Sequence, residues 1–221
     1  MSAKKKKKTE LPTCEGYLRI NLRKCAGCMN CMLVCSLAHE GRVNLSLSRI
    51  QVIQNSFMPF PNDVSVEQCR QCVDPACVKA CPTSALHVDT KQGNLRKRDP
   101  EKCVFCMECV KSCPYTPARM IWNFEDPNSL KCDLCADAPF WNEQGGPNGK
   151  QACREVCPFD AIEFTREIPI QEGDIGYKYL SPGPLQLGYH NFYIKSSQGQ
   201  QQEGDLERVA GWGKRIIKKT K

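Results

Sequence analysis

Residues 103–114 read Cys103-Val104-Phe105-Cys106-Met107-Glu108-Cys109-Val110-Lys111-Ser112-Cys113-Pro114. Three cysteines two residues apart are followed, after three more residues, by a fourth cysteine and a proline. Related arrangements appear on both sides. Upstream, Cys69-x2-Cys72-x4-Cys77-x3-Cys81-Pro82 carries two extra residues around Asp74-Pro75, and Cys25-x2-Cys28-x2-Cys31-x3-Cys35 has Ser36 where the others have proline. Downstream, Cys132-x2-Cys135 is split from Cys153-x3-Cys157-Pro158 by 17 residues rich in Gly, Asn and Pro, among them Gly145, Gly146, Pro147, Asn148 and Gly149. The four groups take sixteen of the 17 cysteines, leaving Cys14 as a free thiol.

The spacing has a physical reason. Three closely set cysteines let a tight loop wrap one corner-metal cube, with thiolates converging on three irons and backbone N–H groups pointing at the sulfurs. The fourth lies beyond that wrap. With x3 spacing it is expected to start a short helix, face away from the loop and serve the other cluster of a pair. A proline after it suits a first helical turn, where its missing N–H has no partner in any case, and Ser36 in its place is expected to alter only the local helix start. Zinc sites use two well-separated Cys-x2-Cys knuckles per metal, whereas three cysteines within seven residues, repeated with x3-Cys-Pro, crowd more thiolates than one tetrahedral ion can use. The sixteen grouped cysteines therefore read as iron ligands of iron–sulfur clusters.

Composition agrees. The 221 residues have a mean hydropathy of −0.48 and are 41% hydrophobic with the cysteines included, too sparse for a large conventional core. Lys4 to Lys8 follow Met1-Ser2-Ala3 with no apolar stretch behind them, no twin-arginine pair, and no run of transmembrane length anywhere. The expectation is a cytoplasmic protein without a membrane span, in a reducing compartment where dense cysteines mean metal rather than disulfides. The formal charge of +7 counts every cysteine as neutral. A cube with four thiolates carries about −2, so four of them bring the total to about −1. That removes the basis for nucleic-acid binding, and the lysine run reads as a solvated arm.

After each group lies a short apolar segment that reads as a strand: Arg49 to Ile53, Ala85 to Val88, Arg119 to Trp122 and Ala161 to Phe164. Gly93-Asn94 and Asp126-Pro127-Asn128 supply turns. The expected architecture is α+β, two ferredoxin-like dicluster modules of short hairpins and short helices around clusters. The expected layout is a Lys-rich arm over 1–14 and a four-cluster domain over 15–167. Within that domain the second and third groups, about 60–125, form an inserted module. A tail over 168–221 is extended over a partner or disordered. Val73, Val104, Phe105 and Met107 are expected to shield clusters. His39, His87 and His190 read as structural, since none has a nearby carboxylate and nucleophile in sequence.

The layout from Cys25 to Cys157, with its longer second and split fourth group, resembles the four-cluster iron–sulfur subunits of the dimethyl-sulfoxide-reductase type. The first repeat, Cys25 to Cys35 with Ser36-Leu37-Ala38-His39-Glu40-Gly41 and Ser48-Arg49-Ile50, is similar to small subunits of tungsten aldehyde oxidoreductases and tungsten benzoyl-CoA reductases. Spacing alone does not decide which groups share clusters. The resemblance implies that Cys25, Cys28 and Cys31 share a cluster with Cys157, and Cys35 with Cys132, Cys135 and Cys153. It likewise puts Cys69, Cys72 and Cys77 with Cys113, and Cys81 with Cys103, Cys106 and Cys109. Because no third-group cysteine is replaced, it implies four 4Fe-4S clusters.

The expected function is a non-catalytic one-electron relay. It would run between a molybdenum- or tungsten-pterin catalytic subunit and an FAD-containing subunit or a soluble carrier such as ferredoxin. The alternative keeps the relay and changes the partner to a hydrogenase, formate dehydrogenase or carbon-monoxide dehydrogenase. A freestanding enzyme would need an open iron or a substrate pocket with a base, and every group has a complete cysteine set.

Overall fold

Each apolar stretch that follows a cysteine group forms a short strand, and each strand finds a partner close by in sequence or at the far end of the domain. The computed structural model describes residues 11–123, 128–174 and 176–180. In chain order these hold β1 (Tyr17–Asn21), α1 (Asn30–Glu40), β2 (Ile50–Gln54), β3 (Val64–Gln68), α2 (Ala76–Lys79), β4 (Leu86–Asp89), β5 (Leu95–Arg98) and α3 (Glu108–Lys111). They continue with β6 (Ile121–Asn123), β7 (Asn128–Leu130), α4 (Ala152–Glu155), β8 (Ile162–Thr165) and β9 (Lys178–Tyr179). The pairs β2–β3, β4–β5 and β6–β7 are antiparallel hairpins. β1 lies between antiparallel β8 and parallel β9.

Residue type accounts for these elements. In β2 the alternation of apolar and polar residues buries Ile50 and Val52 while Gln51 stays half-exposed. The β4–β5 hairpin turns through Gly93 and Asn94 at φ 64° and 57°, a left-handed conformation that glycine and asparagine adopt at least cost. The other expected turn, at Asp126-Pro127, lies outside the described residues. The core is small. Tyr17, Ile20, Ile50, Val66, Leu95 and Leu134 are almost fully buried, with Cys35 and Cys153 among them. Full burial of one such aliphatic side chain contributes roughly 1.5–3 kcal/mol, and few are present. Cysteines are therefore part of the core itself.

The helices correct two expectations. The short helix of each group lies before the fourth cysteine rather than starting at it. α2, α3 and α4 each contain the third cysteine of their group (Cys77, Cys109, Cys153), and the fourth (Cys81, Cys113, Cys157) falls just past the helix end. The proline that follows lacks the N–H needed to continue, so its role is to stop the helix. Ser36 changes more than a helix start. With no proline, α1 runs on for 11 residues to Glu40, ends on Gly41 at φ 65°, and carries both Cys31 and Cys35.

Residues 168–180, grouped by sequence with the tail, return to the domain. β9 pairs with β1, and Tyr177 packs edge-on against Tyr17 with ring centroids 6.4 Å apart. Asp174 anchors the return, accepting from Arg70 at 2.8 Å and from Arg119 at 2.8 Å, with Lys178 at 3.1 Å. Glu67 sits beneath, paired with Arg119 and Lys178. Burial alone would raise the Asp174 pKa. The charges of Arg70, Lys178 and Arg119 outweigh it and hold the carboxyl at about 2. Residues from 181 onward, and with them the rest of the tail and His190, lie outside the described residues, as do residues 1–10 of the lysine arm.

Removing one member of a buried ion pair costs roughly 3–5 kcal/mol, and Asp174→Ala falls at the low end because Glu67 remains to face both arginines. The expected result is faster chymotryptic cleavage at Tyr177 and Tyr179 in the native protein, read by limited proteolysis under anaerobic conditions.

Candidate metal centres

The helices carry the cysteines in crossed pairs. α1 holds Cys31 and Cys35, and it packs on α4, which holds Cys153 with Cys157 one step beyond. α2 holds Cys77 with Cys81 beyond, and it packs on α3, which holds Cys109 with Cys113 beyond. Cys25, Cys28, Cys31 and Cys157 line one cavity. Cys35, Cys132, Cys135 and Cys153 line a second, and Cys81, Cys103, Cys106 and Cys109 a third. Cys69, Cys72, Cys77 and Cys113 lie close enough for their charges to act on one another. Each helix pair thus contributes to two quartets, one donor crossing over from each helix.

Within a quartet the thiols surround space. Among the described residues, no three His, Cys, Asp or Glu side chains converge tightly enough to hold a single ion. A cube with iron at four alternate corners and sulfide at the other four needs that wider stance, and a tetrahedral zinc does not. Electrostatics points the same way. Burial, reinforced by neighbouring thiols, pushes Cys31, Cys77 and Cys135 up to about 12 and Cys132 and Cys153 well above the usual thiol range. Donors crowded in this way repel one another as thiolates, and a cationic iron core in their midst relieves that repulsion. The donor set therefore fits an iron–sulfur cluster at each quartet.

A hydrogen bond repeats four times. The fourth cysteine of every group accepts a backbone N–H from the residue leading into the next strand. Arg49 donates to Cys35 at 3.3 Å, Leu86 to Cys81 at 3.4 Å, Arg119 to Cys113 at 3.2 Å and Ala161 to Cys157 at 3.3 Å. Such bonds favour the thiolate and are one of the levers on cluster potential. The strand expected after each group is thus what aims the donor.

The surroundings of Cys35 hold the clearest feature that sequence reading missed. His39 is buried, with Nε2 3.0 Å from Asp133 and Nδ1 2.9 Å from the Cys35 carbonyl. Arg49 donates to the other Asp133 oxygen at 2.9 Å. His39 does have a carboxylate and a thiol beside it, contrary to expectation, because Asp133 comes from the fourth group, 94 residues away. Burial would lower the His39 pKa, but bonds to Asp133 and Cys35 raise it to about 9. Its local signal is only its place one helical turn after Cys35. His87 touches the Ala85 carbonyl at 3.1 Å. Cys14 is buried and free, its thiol donating to the Gly16 carbonyl at 3.1 Å.

The 17-residue insertion of the fourth group is folded against α1, with the Phe140 N–H donating to the Ala38 carbonyl at 3.0 Å. Buried Gln151 ties it together through the carbonyls of Gly146 and Gly149. Exposure divides the quartets. Cys28 and Cys106, the second cysteines of groups one and three, are the exposed ones among the 17. Apolar side chains stand beside each. Phe159 is 47% exposed near Cys28, and Val104 and Phe105 are 60% and 46% exposed near Cys106, so these residues line their cavity while staying open to solvent. Inside, Cys153 senses Cys31 and Cys35, and Cys132 senses Cys69. The quartets accordingly adjoin in the order Cys25–Cys157, Cys35–Cys153, Cys69–Cys113, Cys81–Cys109.

A run of cysteine quartets with solvent-facing donors at its first and last members defines an iron–sulfur electron-transfer protein. Residues 17–83 and 62–167 each match a 4Fe-4S dicluster domain, the shared stretch being the second cysteine group. The chain belongs to the 4Fe-4S dicluster family, and its two domains correspond to four 4Fe-4S clusters. It is similar to the polyferredoxin-like subunit of aliphatic sulfonate oxidoreductase from Pyrococcus furiosus, 40% identical over 149 residues, 67% of this chain and 77% of that protein. It is also similar to the B subunit of anaerobic dimethyl sulfoxide reductase from Shigella flexneri, 27% identical over 200 residues, 84% of this chain and 91% of that protein. The beta subunit of NADH-dependent phenylglyoxylate dehydrogenase from Aromatoleum evansii is 33% identical over 153 residues, 68% of this chain, and the match spans 31% of that larger protein. Among the described residues, no helix is long and apolar enough to cross a membrane.

A methyl group on Gly145 would sit 1.9 Å from the Cys135 carbonyl oxygen, so Gly145→Ala forces that backbone to move. The expected outcome is selective loss of one cluster, with iron falling from about sixteen to about twelve per chain. Iron and acid-labile sulfide analysis of anaerobically purified variant and parent checks it.

Proposed function

We propose that the four quartets are the ligand sets: Cys25, Cys28, Cys31 and Cys157; Cys35, Cys132, Cys135 and Cys153; Cys69, Cys72, Cys77 and Cys113; Cys81, Cys103, Cys106 and Cys109. We further propose that the chain is a non-catalytic cytoplasmic subunit that relays single electrons to or from a tungsten- or molybdenum-containing oxidoreductase subunit. Each cluster, when bound, supplies a one-electron couple. The protein's part is to space the quartets, exclude water from the inner two and orient N–H groups at the fourth cysteines.

The observation that carries this reading is the exposure of Cys28 and Cys106 at the two ends of the quartet order. An electron carrier needs a place for charge to enter and another for it to leave, and no cysteine of the inner quartets is exposed. The apolar side chains around both thiols suit docking, one end to a catalytic subunit and the other to an FAD-containing subunit or a soluble ferredoxin. The names of the similar proteins support an oxidoreductase partner, because each describes a subunit of an oxidoreductase or dehydrogenase.

Anaerobic purification of the native complex tests the proposal. The expected preparation is brown, holds about sixteen iron and as much inorganic sulfide per chain, and contains a co-eluting chain with tungsten or molybdenum. Colourless protein with zinc and no sulfide would sink the ligand assignment. Nickel in the co-eluting chain would move the partner to a hydrogenase or carbon-monoxide dehydrogenase.

A further inference from the structure

Two buried cations sit where the second and fourth cysteine groups meet, and among the described residues neither pairs with a carboxylate. Arg96 is 1% exposed and Lys131 is 4% exposed. Arg96 donates only to main-chain carbonyls: Nε to Cys72 at 2.9 Å, Nη1 to Asn94 at 2.6 Å and Nη2 to Val73 at 3.3 Å. Lys131 Nζ donates to the Arg96 carbonyl and, at 3.5 Å, to the Cys132 carbonyl. Gln71, 1% exposed, locks the unit by accepting from Arg96 N at 2.8 Å and donating to the Cys132 carbonyl at 2.7 Å.

Other buried arginines are treated differently. Arg70 and Arg119 each pair with Asp174 and Glu67, and the half-buried Arg49 pairs with Asp133 and Glu40. Asp133 does feel the charge of Lys131, but its oxygens are already taken by His39 and Arg49. Neutral carbonyls cannot by themselves offset the desolvation of an ion, so a buried cation requires an anion nearby. The anions available here are thiolates. Lys131 directly precedes Cys132 and its charge acts on Cys77, while Arg96 grips the loop at Cys72. Both charges also reach Cys14, but burial pushes that thiol up and it donates to the Gly16 carbonyl, so it offers no anion.

We infer that Arg96 and Lys131 have as their counter-ions the two inner cysteine quartets with their clusters, and that these cations make the inner clusters easier to reduce than the outer two. The inference rests on the ligand assignment proposed above. Each quartet with its cluster gains one negative charge on reduction, and a fixed cation in a dry setting stabilises that extra charge far more than one in water does. Electrons therefore rest inside the protein, away from Cys28 and Cys106, and leave from either end when a partner draws them.

The test is a potentiometric titration of the intact chain with dithionite, followed by electron paramagnetic resonance, on parent protein, Lys131→Met and Lys131→Arg. Lys102→Gln, which removes an exposed lysine 63% open to solvent, is the control. Lys131→Met is expected to change the reduction equilibrium of the first couple to reduce by about tenfold, a lowering of about 59 mV for one electron. Lys131→Arg and Lys102→Gln are expected to stay within about twofold of the parent, about 18 mV. A fully loaded Lys131→Met with unshifted potentials overturns the inference and leaves the ligand assignment standing, whereas parent protein without iron and sulfide overturns that assignment first. Should Lys131→Met fail to retain clusters, retention by Lys131→Arg supports the counter-ion role, and failure of both variants overturns it by making Lys131 a packing residue.

Discussion

The burial of thiols side by side is the constraint on which this structure depends. A small domain normally closes around aliphatic side chains, but here cysteines occupy much of the interior, and burial, reinforced by neighbouring thiols, pushes them toward protonation. The folded arrangement makes physical sense only with positive charge in the middle of each quartet. Folding and cluster insertion are therefore one equilibrium, as in other proteins whose metal supplies the missing core. Among the described residues the sheets are too small to stand alone, each two-stranded apart from the three-stranded β8-β1-β9.

The chain meets that constraint with one device used twice. A helix carries the third cysteine of its group, with the fourth four residues on, inside α1 and just past the end of α2, α3 and α4; it packs against a second such helix, and each gives one donor to the near quartet and one to the far. The α1–α4 pair and the α2–α3 pair are sequence-distant versions of the same crossing, the first joining residues about 120 apart. An N–H from the following strand then steadies the outlying donor. Strand pairing and ligand placement are consequently inseparable, since shifting β4 or β8 moves Leu86 or Ala161 away from its sulfur.

What is readable in the sequence is whatever is local. Four groups of four cysteines, the strands after them and the turn at Gly93-Asn94 depend on spacing and residue type within a dozen positions. The helix positions are harder, because a proline after a cysteine suits a helix start as well as a stop, and only the longer α1 at Ser36 reveals it as a stop. The partners of His39, Arg96 and Lys131 are invisible for another reason. Asp133 lies 94 residues from His39, and the Lys131 ammonium bonds a carbonyl 35 residues back. No periodicity records such meetings, because the loop at Cys132 creates them by folding against α1 at His39 and β5 at Arg96.

The exposure of Cys28 and Cys106 has a chemical cost as well as a use. A sulfur that a redox partner can approach is also one that dioxygen or peroxide can approach, so corrosion of the isolated chain begins at its terminal cubes while the interior ones persist. A preparation so damaged keeps much of its colour and spectroscopic signal yet has lost its contacts with the outside. On the proposed relay role, a neighbour bound over either thiol acts as a shelter as well as a terminal, and the complex outlasts its separated parts in air.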